Sequence, residues 1–411
     1  MTHMKLTSII LTLGIVVPSF GGHLRSLQIG QGVGSNITNV MGSNNSSVMA
    51  SSNTSVISTS NTSIIGSNST SSIGSSNTGI IDSPQAAIEA ARNELITLIE
   101  DDKLLGYAFV RLGFHDCVGG CDGCVDLLNP DNRGLGGPIA VLENIVQQTA
   151  VHGVTRADIW ALAAMTYADH GQGKQRAEYS FDWFGRPTCD KLNSICRNAK
   201  GDVVDCSPTR GPHRDMPTPD LDTRGVLDYF DKAFGLDARE TVALMGGHTI
   251  GRVERGNSGF VGDGWDSNPS LVDNAYYTEL VGGTAANDSL LALRNITNWR
   301  RLAVNNSAIP GMPNRHQWRQ GKKVMINADI SMIRNFAGKI LPSGKVTCTL
   351  AAGRNMCPVA LDTIRHMAVY RNDNQLWLDD FRDVFTFVLE FPFKTEGGCG
   401  EDICFIGDLP S

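Results

Sequence analysis

The stretch LLGYAFVRLGFHDC, residues 104–117, decides how the rest of the chain is interpreted. It is apolar on nearly every face, which predicts a buried helix over Leu104–Phe114. Arg111 and His115 lie four residues apart and therefore share one side of that helix. A buried arginine beside a histidine is costly unless the pair is held in place or used. The pair alone is at least equally compatible with a structural role, an arginine neutralised by a distant carboxylate and a histidine in a core hydrogen bond.

A second histidine stands in the stretch ALMGGHTIG, residues 243–251. Asp237 and Glu240 are spaced as a capping box at the start of a helix, and the two glycines before His248 are typical of its end. We therefore expect the chain to turn just before His248 and to expose its imidazole ring.

Helical patterns dominate the chain from Ser83 onward, and strand signals are few. Ser83-Pro84 opens the first helix, because proline at the first helical position loses no hydrogen bond. Thr155 and Asp158 mark the start of another helix as a capping box. Beyond the helix that ends before His248, the predicted helices cover residues 86–99, 104–114, 136–152, 155–169, 220–234, 331–340 and 379–388. The expected fold class is therefore mainly α.

Composition and the start of the chain narrow the class of protein. The 411 residues are 41% hydrophobic, so most of the chain can bury a core, and the net charge of −7 argues against a nucleic-acid partner. Residues 1–22 are typical of a signal peptide, with Lys5 before an apolar run and small residues at its end. An uncleaved membrane anchor is the alternative, but the run is short and contains Pro18. No later stretch is long and apolar enough to span a bilayer.

Residues 23–82 are expected to form a disordered, glycosylated stalk. From residue 34 onward they are rich in Ser, Asn and Thr, with no aromatic residue and no charge before Asp82. Acceptor sequences for N-glycosylation recur here, although a segment rich in Ser and Asn also generates them by chance. They stand at residues 36, 44, 45, 53, 61 and 68, with three more at 287, 295 and 305. Residues 83–411 are assigned to one globular domain.

The ten cysteines form an even set, which predicts disulfide bonds in a secreted chain. Their pairing cannot be deduced from spacing, although Cys348–Cys357 and Cys399–Cys404 would close short local loops. A zinc site is a second interpretation, because the Cys121-X-X-Cys124 spacing permits one. Its ligands would be His115, Cys117, Cys121 and Cys124.

The segment RLGFHDC, residues 111–117, resembles the distal signature of the plant, fungal and bacterial haem peroxidase superfamily. Residues 243–251 are similar to the proximal histidine signature of the same superfamily. Three elements between them also match, in the right order: residues 132–135, 157–164 and 185–187. The resemblance runs from about residue 84 to residue 391. It implies a helical fold with haem b between a distal and a proximal helical half.

The resemblance places the two histidines on opposite faces of the haem. His248 would bind the iron while its other ring nitrogen donates to Asp329, which makes the imidazole more basic. From the residues alone, Asp329 serves equally well as the cap of the helix that follows it. On the distal face, Asn132 would accept the Nδ1 proton of His115. His115 would then move the peroxide proton, and Arg111 would stabilise the charge on the departing oxygen.

The aromatic residues of the site resemble two different branches of the superfamily. Phe114 stands at the distal position where the secreted branches have Phe. Trp265 resembles the proximal Trp of the intracellular branch, which includes ascorbate peroxidase and cytochrome c peroxidase. A Trp beside the iron could share the oxidising equivalent as a radical, and an ordinary buried Trp is the alternative. A hydrogen bond from Trp265 to Asp329 is expected in either case.

The resemblance also implies two calcium sites. The proximal ligands would be Thr249, Asp266, Asn268, the backbone oxygen of Leu271, and Asp273. Two carboxylates with neutral oxygens suit Ca²⁺, although Asp and Asn are common in any turn. The distal ligands would be Asp116, the Gly120 oxygen and Asp122. Cys124 stands where the distal site should have a serine ligand.

The expected reaction is the reduction of hydrogen peroxide by a secreted, monomeric peroxidase with a small-molecule electron donor. Pro217 and Pro219 resemble the channel edge of phenol-oxidising relatives, which favours small phenolic donors. Asn257 stands where ascorbate-using relatives have an arginine, and Arg255 is displaced from that position by two residues, so the sequence leaves ascorbate use open. Leu104 and Ala108 stand where a manganese site would need acids. The alternative is a cell-surface or matrix glycoprotein that binds haem with little catalytic activity.

Overall fold

The computed structural model of the protein describes residues 83–186, 188, 196–197, 203–204, 216–282, 299–337, 339–341, 346, 357–394 and 404–405. The expected signal peptide and stalk, residues 1–82, lie outside the described residues. The side chains of Cys348 and Cys399 lie outside them as well, so the two predicted local disulfides stay predictions.

Helices form most of the described chain, and the mainly α fold class predicted from the sequence is confirmed. In chain order they are α1 (Pro84–Asp101), α2 (Lys103–Gly119), α3 (Gly136–Ala150), α4 (Arg156–His170), α5 (Thr223–Phe234), α6 (Ala238–Met245), α7 (Arg255–Ser258), α8 (Ala275–Val281), α9 (Asn327–Ser331), α10 (Ile364–Asn372) and α11 (Asn374–Lys394). Two 3₁₀ turns, Pro130–Asn132 and Gly246–Thr249, carry residues of the predicted site.

The strands are short. They are β1 (Trp183–Phe184), β2 (Cys196–Arg197), β3 (Val203–Val204), β4 (Arg300–Val304), β5 (Arg315–Gln320), β6 (Lys323–Met325) and β7 (Cys404–Phe405). Strands β5 and β6 contribute Trp318, Val324 and Met325 to the same core as the helices. Strands β4, β5 and β6 form an antiparallel sheet, in which Arg301 is paired with Trp318 and Trp318 with Met325. The end of β6 leads directly into α9 and so positions Asp329.

Helix α2 is central to one half of the fold. Asp102 caps its start by accepting from the amide of Leu104. The helix packs against α1, α4 and α11, and the approach to α4 is so close that a Cβ on Gly113 would lie 2.7 Å from the Cβ of Ala164. It continues five residues beyond the predicted end at Phe114, to Gly119, so His115 lies inside the helix and is held by it.

Helix α4 starts with the capping box that the sequence predicted, formed by Thr155 and Asp158. The Asp158 carboxylate also forms an ion pair of 2.9 Å with Arg186, and both side chains are fully buried. It further accepts from the amide of Gly185 at 2.7 Å. One carboxylate therefore fixes both the start of α4 and the segment around residue 185.

The second histidine follows α6, which begins with the predicted capping box of Asp237 and Glu240. The chain then tightens into the 3₁₀ turn Gly246–Thr249, which contains His248. Helix α11 packs against α6 as well as against α2 and α4. It therefore bridges the half that carries His115 and the half that carries His248.

One predicted helix is wrong. Residues 331–340 do not form a helix: α9 ends at Ser331, turns follow, and Arg334 and Ile340 each form an isolated β-bridge. Met332 and Ile333 are buried, so the apolar pattern that suggested a helix reflects burial of a turn. The other predicted helices are present, with ends that differ by up to six residues. Among the described residues, no helix combines the length and apolarity needed to cross a membrane.

Candidate active site

A cavity of about 520 Å³ separates α2 from the turn that follows α6. Arg111 and His115 line it from one side, and His248 and Trp265 from the other. Its volume falls within the range of pockets that hold cofactors and small ligands. The two histidine signatures, 133 residues apart in the chain, thus face one space.

The distal histidine is fixed by a short chain of hydrogen bonds. The Nδ1 of His115 lies 2.8 Å from Oδ1 of Asn132, and the Asn132 amide nitrogen donates to the carbonyl of Asp126 at 2.9 Å. Because that amide nitrogen is a donor, its oxygen is the acceptor toward the ring, and Nδ1 carries the proton. The free Nε2 is then a base. This is the geometry predicted for Asn132.

The environment of His115 keeps its ring neutral. Burial, and then the positive charge of Arg111, lower the pKa of His115 to about 3, against the opposing hydrogen bond of Asn132. Both effects disfavour the imidazolium form. His115 is therefore an unprotonated base at neutral pH.

Arg111 is held over the cavity by backbone oxygens. Its guanidinium donates to the carbonyl of Arg133 at 2.8 Å and to that of Asp131 at 2.7 Å. Asp131 lies in the 3₁₀ turn that also presents Asn132, and Arg133 is the residue that follows the turn. Burial lowers the pKa of Arg111, while Asp131 and Glu254 oppose the shift. The structural alternative, in which a distant carboxylate pairs directly with Arg111, is not what holds this side chain.

The proximal histidine is paired with a fully buried carboxylate. The Nδ1 of His248 lies 2.7 Å from Oδ1 of Asp329, which leaves Nε2 free on the cavity side. The other oxygen of Asp329 accepts from the amide of Ile326 at 2.8 Å, which caps α9. Asp329 therefore fills both roles that the sequence allowed, a partner for the histidine and a helix cap.

Trp265 lies flat against His248, with ring centroids 4.2 Å apart and an angle of 2° between the planes. The expected hydrogen bond from Trp265 to Asp329 is wrong. Among the described residues, the second side chain that donates to Asp329 is Tyr276, whose hydroxyl lies 3.0 Å from Oδ1. Stacking on the imidazole places Trp265 beside the cavity without using the carboxylate.

Tyr276 is a site residue that the sequence interpretation missed. The Tyr276-Tyr277 pair follows the predicted calcium loop, and nothing in that spacing shows that Tyr276 reaches a carboxylate 53 positions away. Its hydroxyl and the His248 imidazole share one acceptor oxygen. The shared acceptor reduces the negative charge available to either donor.

The residues around the cavity fit a haem. A neutral imidazole with a free Nε2 is the axial ligand that haem iron takes in peroxidases, and a carboxylate behind it is the expected partner. The imidazole of His248 is 34% exposed although the turn around it is largely buried, so its accessible surface faces the cavity. Phe114, Leu244 and Phe230 supply apolar walls for a flat macrocycle.

The proximal calcium ligands are brought together in part. The hydroxyl of Thr249 donates to Asp266 and lies 3.4 Å from Oδ1 of Asp273. Asp266 also accepts from the amide of Asn268 at 2.8 Å, and the amide of Leu271 bonds back to the Asn268 carbonyl. Burial raises the pKa of Asp266 to about 6, and the nearby carboxylates of Asp273 and Glu279 act in the same direction. In the described part of the chain, no three His, Cys, Asp or Glu side chains cluster as a metal site.

The predicted distal calcium ligands lie beside an arginine. Asp116 and Asp122 both accept from the amide of Cys124, each at 3.1 Å. Arg156 is buried and donates from Nε to the carbonyl of Gly123 at 2.7 Å, within the same loop. Its charge opposes the raised pKa of Asp116, whose main causes are burial and then Asp122. Arg156 therefore already supplies a positive charge to these two carboxylates. Calcium at this second site stays a prediction.

A disulfide bond joins Cys117 to Cys121. Cys124 is disulfide-bonded as well, but not to Cys121. These bonds consume the thiolates that a zinc site would need, so the zinc interpretation is wrong. Cys357 is also disulfide-bonded.

The lining of the cavity also includes apolar and charged side chains away from α6. Leu104, Ala108, Pro217 and Pro219 all line it. Arg252, Glu254 and Asn257 line it as well. Arg255 is turned away, because its guanidinium donates to Asn305 and Asn306.

Comparison with known proteins agrees with this geometry. A sequence model of the family described as Peroxidase matches residues 91–337, more than half of the chain. Cytosolic L-ascorbate peroxidase 2 of Oryza sativa subsp. japonica is 41% identical over 76 residues, which are 18% of this chain and 30% of that protein. Cytosolic L-ascorbate peroxidase 1 of Oryza sativa subsp. indica is 28% identical over 48% of this chain and 74% of its own length. A protein of Pyricularia oryzae with the provisional name heme-binding peroxidase is 25% identical over 75% of this chain and 88% of its own length.

The two histidines, their hydrogen-bond partners and the cavity between them lie where the superfamily resemblance placed them. The family match covers both histidines and the asparagine and aspartate that hold them. The chain therefore belongs to the peroxidase family, whose members are haem-dependent oxidoreductases that act on hydrogen peroxide.

Proposed function

We propose that this protein is a secreted haem peroxidase that reduces hydrogen peroxide to water and oxidises small phenolic donors in one-electron steps. The observation that carries the proposal is the pair of oriented histidines facing one cavity, His115 with Asn132 and His248 with Asp329. Haem, when bound, supplies the redox-active iron at which the peroxide bond breaks.

His115 acts as both base and acid toward peroxide. Its neutral Nε2 takes the proton from one peroxide oxygen and returns it to the other, which leaves as water. Asn132 keeps the ring in the tautomer that makes this possible. Arg111 places a fixed positive charge near the oxygen on which negative charge develops.

His248 and Asp329 prepare the opposite face of the site. Asp329 accepts the Nδ1 proton of His248 and increases the electron density that Nε2 donates to a bound metal. Because Asp329 is fully buried and also bonded to a backbone amide, its carboxylate cannot turn away from the ring.

The lining favours aromatic over anionic donors. Leu104, Ala108 and the two prolines offer an apolar surface on which a phenol ring can lie. Glu254 repels anions whereas Arg252, which also lines the cavity, attracts them, and Arg255 is engaged with Asn305 and Asn306. Ascorbate, an anion at neutral pH, would find the uncharged Asn257 where ascorbate-using relatives have an arginine.

Secretion is supported by two independent features. Residues 1–22 have the pattern of a signal peptide, and Cys117 is joined to Cys121 in a bond typical of oxidising compartments. Expression of the full chain in a eukaryotic host tests this part. The mature protein should be recovered from the medium with an N-terminus close to residue 23, whereas an intact N-terminus on protein retained in the cells would refute secretion.

Calcium is proposed for the proximal loop only. Thr249, Asp266 and Asp273 lie within hydrogen-bonding reach, and the burial of Asp266 creates a need for positive charge. Calorimetric titration with Ca²⁺ should show one site that is lost in Asp266→Ala. Titration without heat, and a melting temperature unchanged by chelator, would exclude calcium here.

The central experiment loads the purified protein with haem and follows its Soret band on addition of peroxide. We expect a rapid change, followed by oxidation of 2,6-dimethoxyphenol but not of ascorbate. His115→Leu should slow the peroxide reaction by about 10²–10⁴-fold, the usual contribution of general acid–base catalysis. His152→Leu, outside the cavity, is the matched control. A Soret band that does not change on addition of peroxide would favour the non-catalytic glycoprotein. Oxidation of ascorbate would refute the donor assignment.

A further inference from the structure

Five aromatic rings in contact, here called the aromatic chain, lead from the proximal side of the cavity toward the surface. They are Trp265, His248, Tyr276, Tyr277 and Tyr370. Successive ring centroids lie 4.2, 6.2, 5.2 and 5.3 Å apart. Electron transfer weakens steeply with distance, so rings in contact exchange an electron far more readily than groups separated by aliphatic side chains.

The two middle tyrosines are fully buried and their hydroxyl groups are fixed. Tyr276 donates to Asp329 at 3.0 Å, and Tyr277 donates to the carbonyl of Val242 at 2.8 Å. The fold makes room for Tyr277 beside the proximal turn, because a Cβ on Gly246 would lie only 2.2 Å from its hydroxyl oxygen. Burial raises the pKa of both phenols, so both are neutral in the resting protein.

The outer end of the aromatic chain lies beneath a surface ion pair. The Tyr370 hydroxyl donates to Oδ2 of Asp380 at 2.5 Å, and Arg239 pairs with the same carboxylate at 2.7 Å. The Arg239 side chain is 50% exposed and that of Asp380 is 22% exposed, whereas Tyr370 is 1% exposed. Tyr370 is thus separated from solvent by the Arg239–Asp380 ion pair, and its hydroxyl is hydrogen-bonded to a proton acceptor.

That acceptor matters because an oxidised phenol must lose its proton. A buried tyrosine without a nearby base is difficult to oxidise, whereas one hydrogen-bonded to a carboxylate can lose its electron and its proton together. In the described part of the aromatic chain, Tyr276 and Tyr370 each donate to a carboxylate, and Tyr370 is the one whose carboxylate reaches the surface.

We propose that the aromatic chain conducts the oxidising equivalent from the cavity to Tyr370, where phenolic donors too large for the cavity are oxidised at the Arg239–Asp380 surface. The inference rests on the proposed peroxidase function. One electron leaves Tyr370 and passes inward through Tyr277 and Tyr276 to the centre oxidised by peroxide, while the phenolic proton passes to Asp380. The tyrosyl radical then takes an electron from a donor phenol and regains its proton from Asp380, and the donor leaves as a phenoxyl radical after releasing its own proton to water.

Radical trapping tests the path directly. Haem-loaded protein treated with peroxide and 2-methyl-2-nitrosopropane, without a donor, should carry the trap on Tyr370, as mapped by peptide mass spectrometry. The adduct at this position should be lost in Tyr370→Phe, diminished in Asp380→Asn and unchanged in Tyr179→Phe, which alters a buried tyrosine outside the aromatic chain. Persistence of the Tyr370 adduct in Tyr276→Phe and Tyr277→Phe, singly and combined, would overturn the path.

Donor size provides the second readout. Oxidation of phenol groups coupled to dextran should fall to background in Tyr370→Phe, while free 2,6-dimethoxyphenol and peroxide itself react as in the wild type. Equal loss of both donors, or no loss of either, would overturn the assignment of Tyr370. A wild-type protein that consumes peroxide without labelling Tyr370 overturns this inference alone, whereas one that never consumes peroxide overturns the proposed function as well.

Discussion

The hydrogen bond between Asn132 and His115 can be removed with little change in volume by Asn132→Val. In the wild-type protein the 2.8 Å contact fixes the ring proton on Nδ1 and leaves Nε2 as the base. Without the amide oxygen, the Nδ1–H donor is left without its partner, and the tautomer with the proton on Nε2 becomes competitive. His115 would then present a donor, where the reaction needs an acceptor.

The expected loss follows from the burial of this site. A buried donor left without its acceptor costs about 1–3 kcal/mol, which corresponds to a decrease of about 5-fold to 150-fold in the rate of the peroxide step. The upper part of this range applies if the ring seldom returns to the productive tautomer. Asn132→Asp should act differently, because a carboxylate beside the ring raises the pKa of His115 and moves the acid limb of the rate profile to higher pH.

Stopped-flow measurement of the Soret change at a series of peroxide concentrations gives the rate constant for each variant. Asn93→Val, on the exposed face of α1, is the control for replacing an asparagine by a valine outside the cavity. If Asn132→Val reacted as fast as the wild type at every pH, the tautomer argument would be refuted, and Asn132 would have only a packing role.

Four further predictions follow from individual contacts. Because the pKa of His115 is lowered to about 3, the peroxide reaction should keep its rate from neutral pH to about pH 4 and show no limb at 6.5, the ordinary histidine value; such a limb in a stopped-flow profile would contradict this. Because of the same shift, His115 binds a proton at pH 5 in the unfolded chain but not in the folded protein. The free energy of unfolding should therefore decrease by about 2 kcal/mol when the pH is lowered from 7 to 5, and urea unfolding of His115→Leu should lack this contribution. Asp158→Ala leaves the Arg186 charge buried and should lower the free energy of unfolding by about 3–5 kcal/mol, whereas Asp228→Ala, on the exposed face of α5, should be nearly neutral. Asp329→Asn should raise the reduction potential of the haem iron, measured by spectroelectrochemistry, because the neutral amide makes the His248 imidazole less basic. An unchanged potential would mean that Asp329 acts only as a helix cap.

The parts of the site that are predictable from the sequence are those carried by local signals. The capping boxes at Thr155 and Asp237 depend on residues three positions apart, and both form as expected. His115 and Arg111 share a helix face because the α-helical period requires it. The distal asparagine and proximal aspartate came from family resemblance, and the structure places Asn132 at Nδ1 of His115 and Asp329 at Nδ1 of His248.

What the sequence left undetermined depends on contacts between distant segments. Helix α2 was expected to end at about Phe114, yet it continues to Gly119, and the buried Asp116 in its last turn accepts from the amide of Cys124 in the following loop. Residues 331–340 carry an apolar pattern that burial alone explains. The bond from Tyr276 to Asp329, which replaces the one expected from Trp265, joins segments 53 residues apart and has no local signature.

Helix α11 has a consequence for how the protein is made. It packs against α2 and α4 in one half and α6 in the other, and the carbonyl of Leu389 accepts from Arg186 at 3.4 Å. These contacts cannot form until residues 374–394 have left the ribosome. Neither half can therefore complete its core before that helix is synthesised, and the faces of α2 and α6 that α11 covers stay exposed until then. A folding helper that shields these faces, and a haem supply that arrives after α11 has emerged, are the conditions under which this polypeptide should mature efficiently.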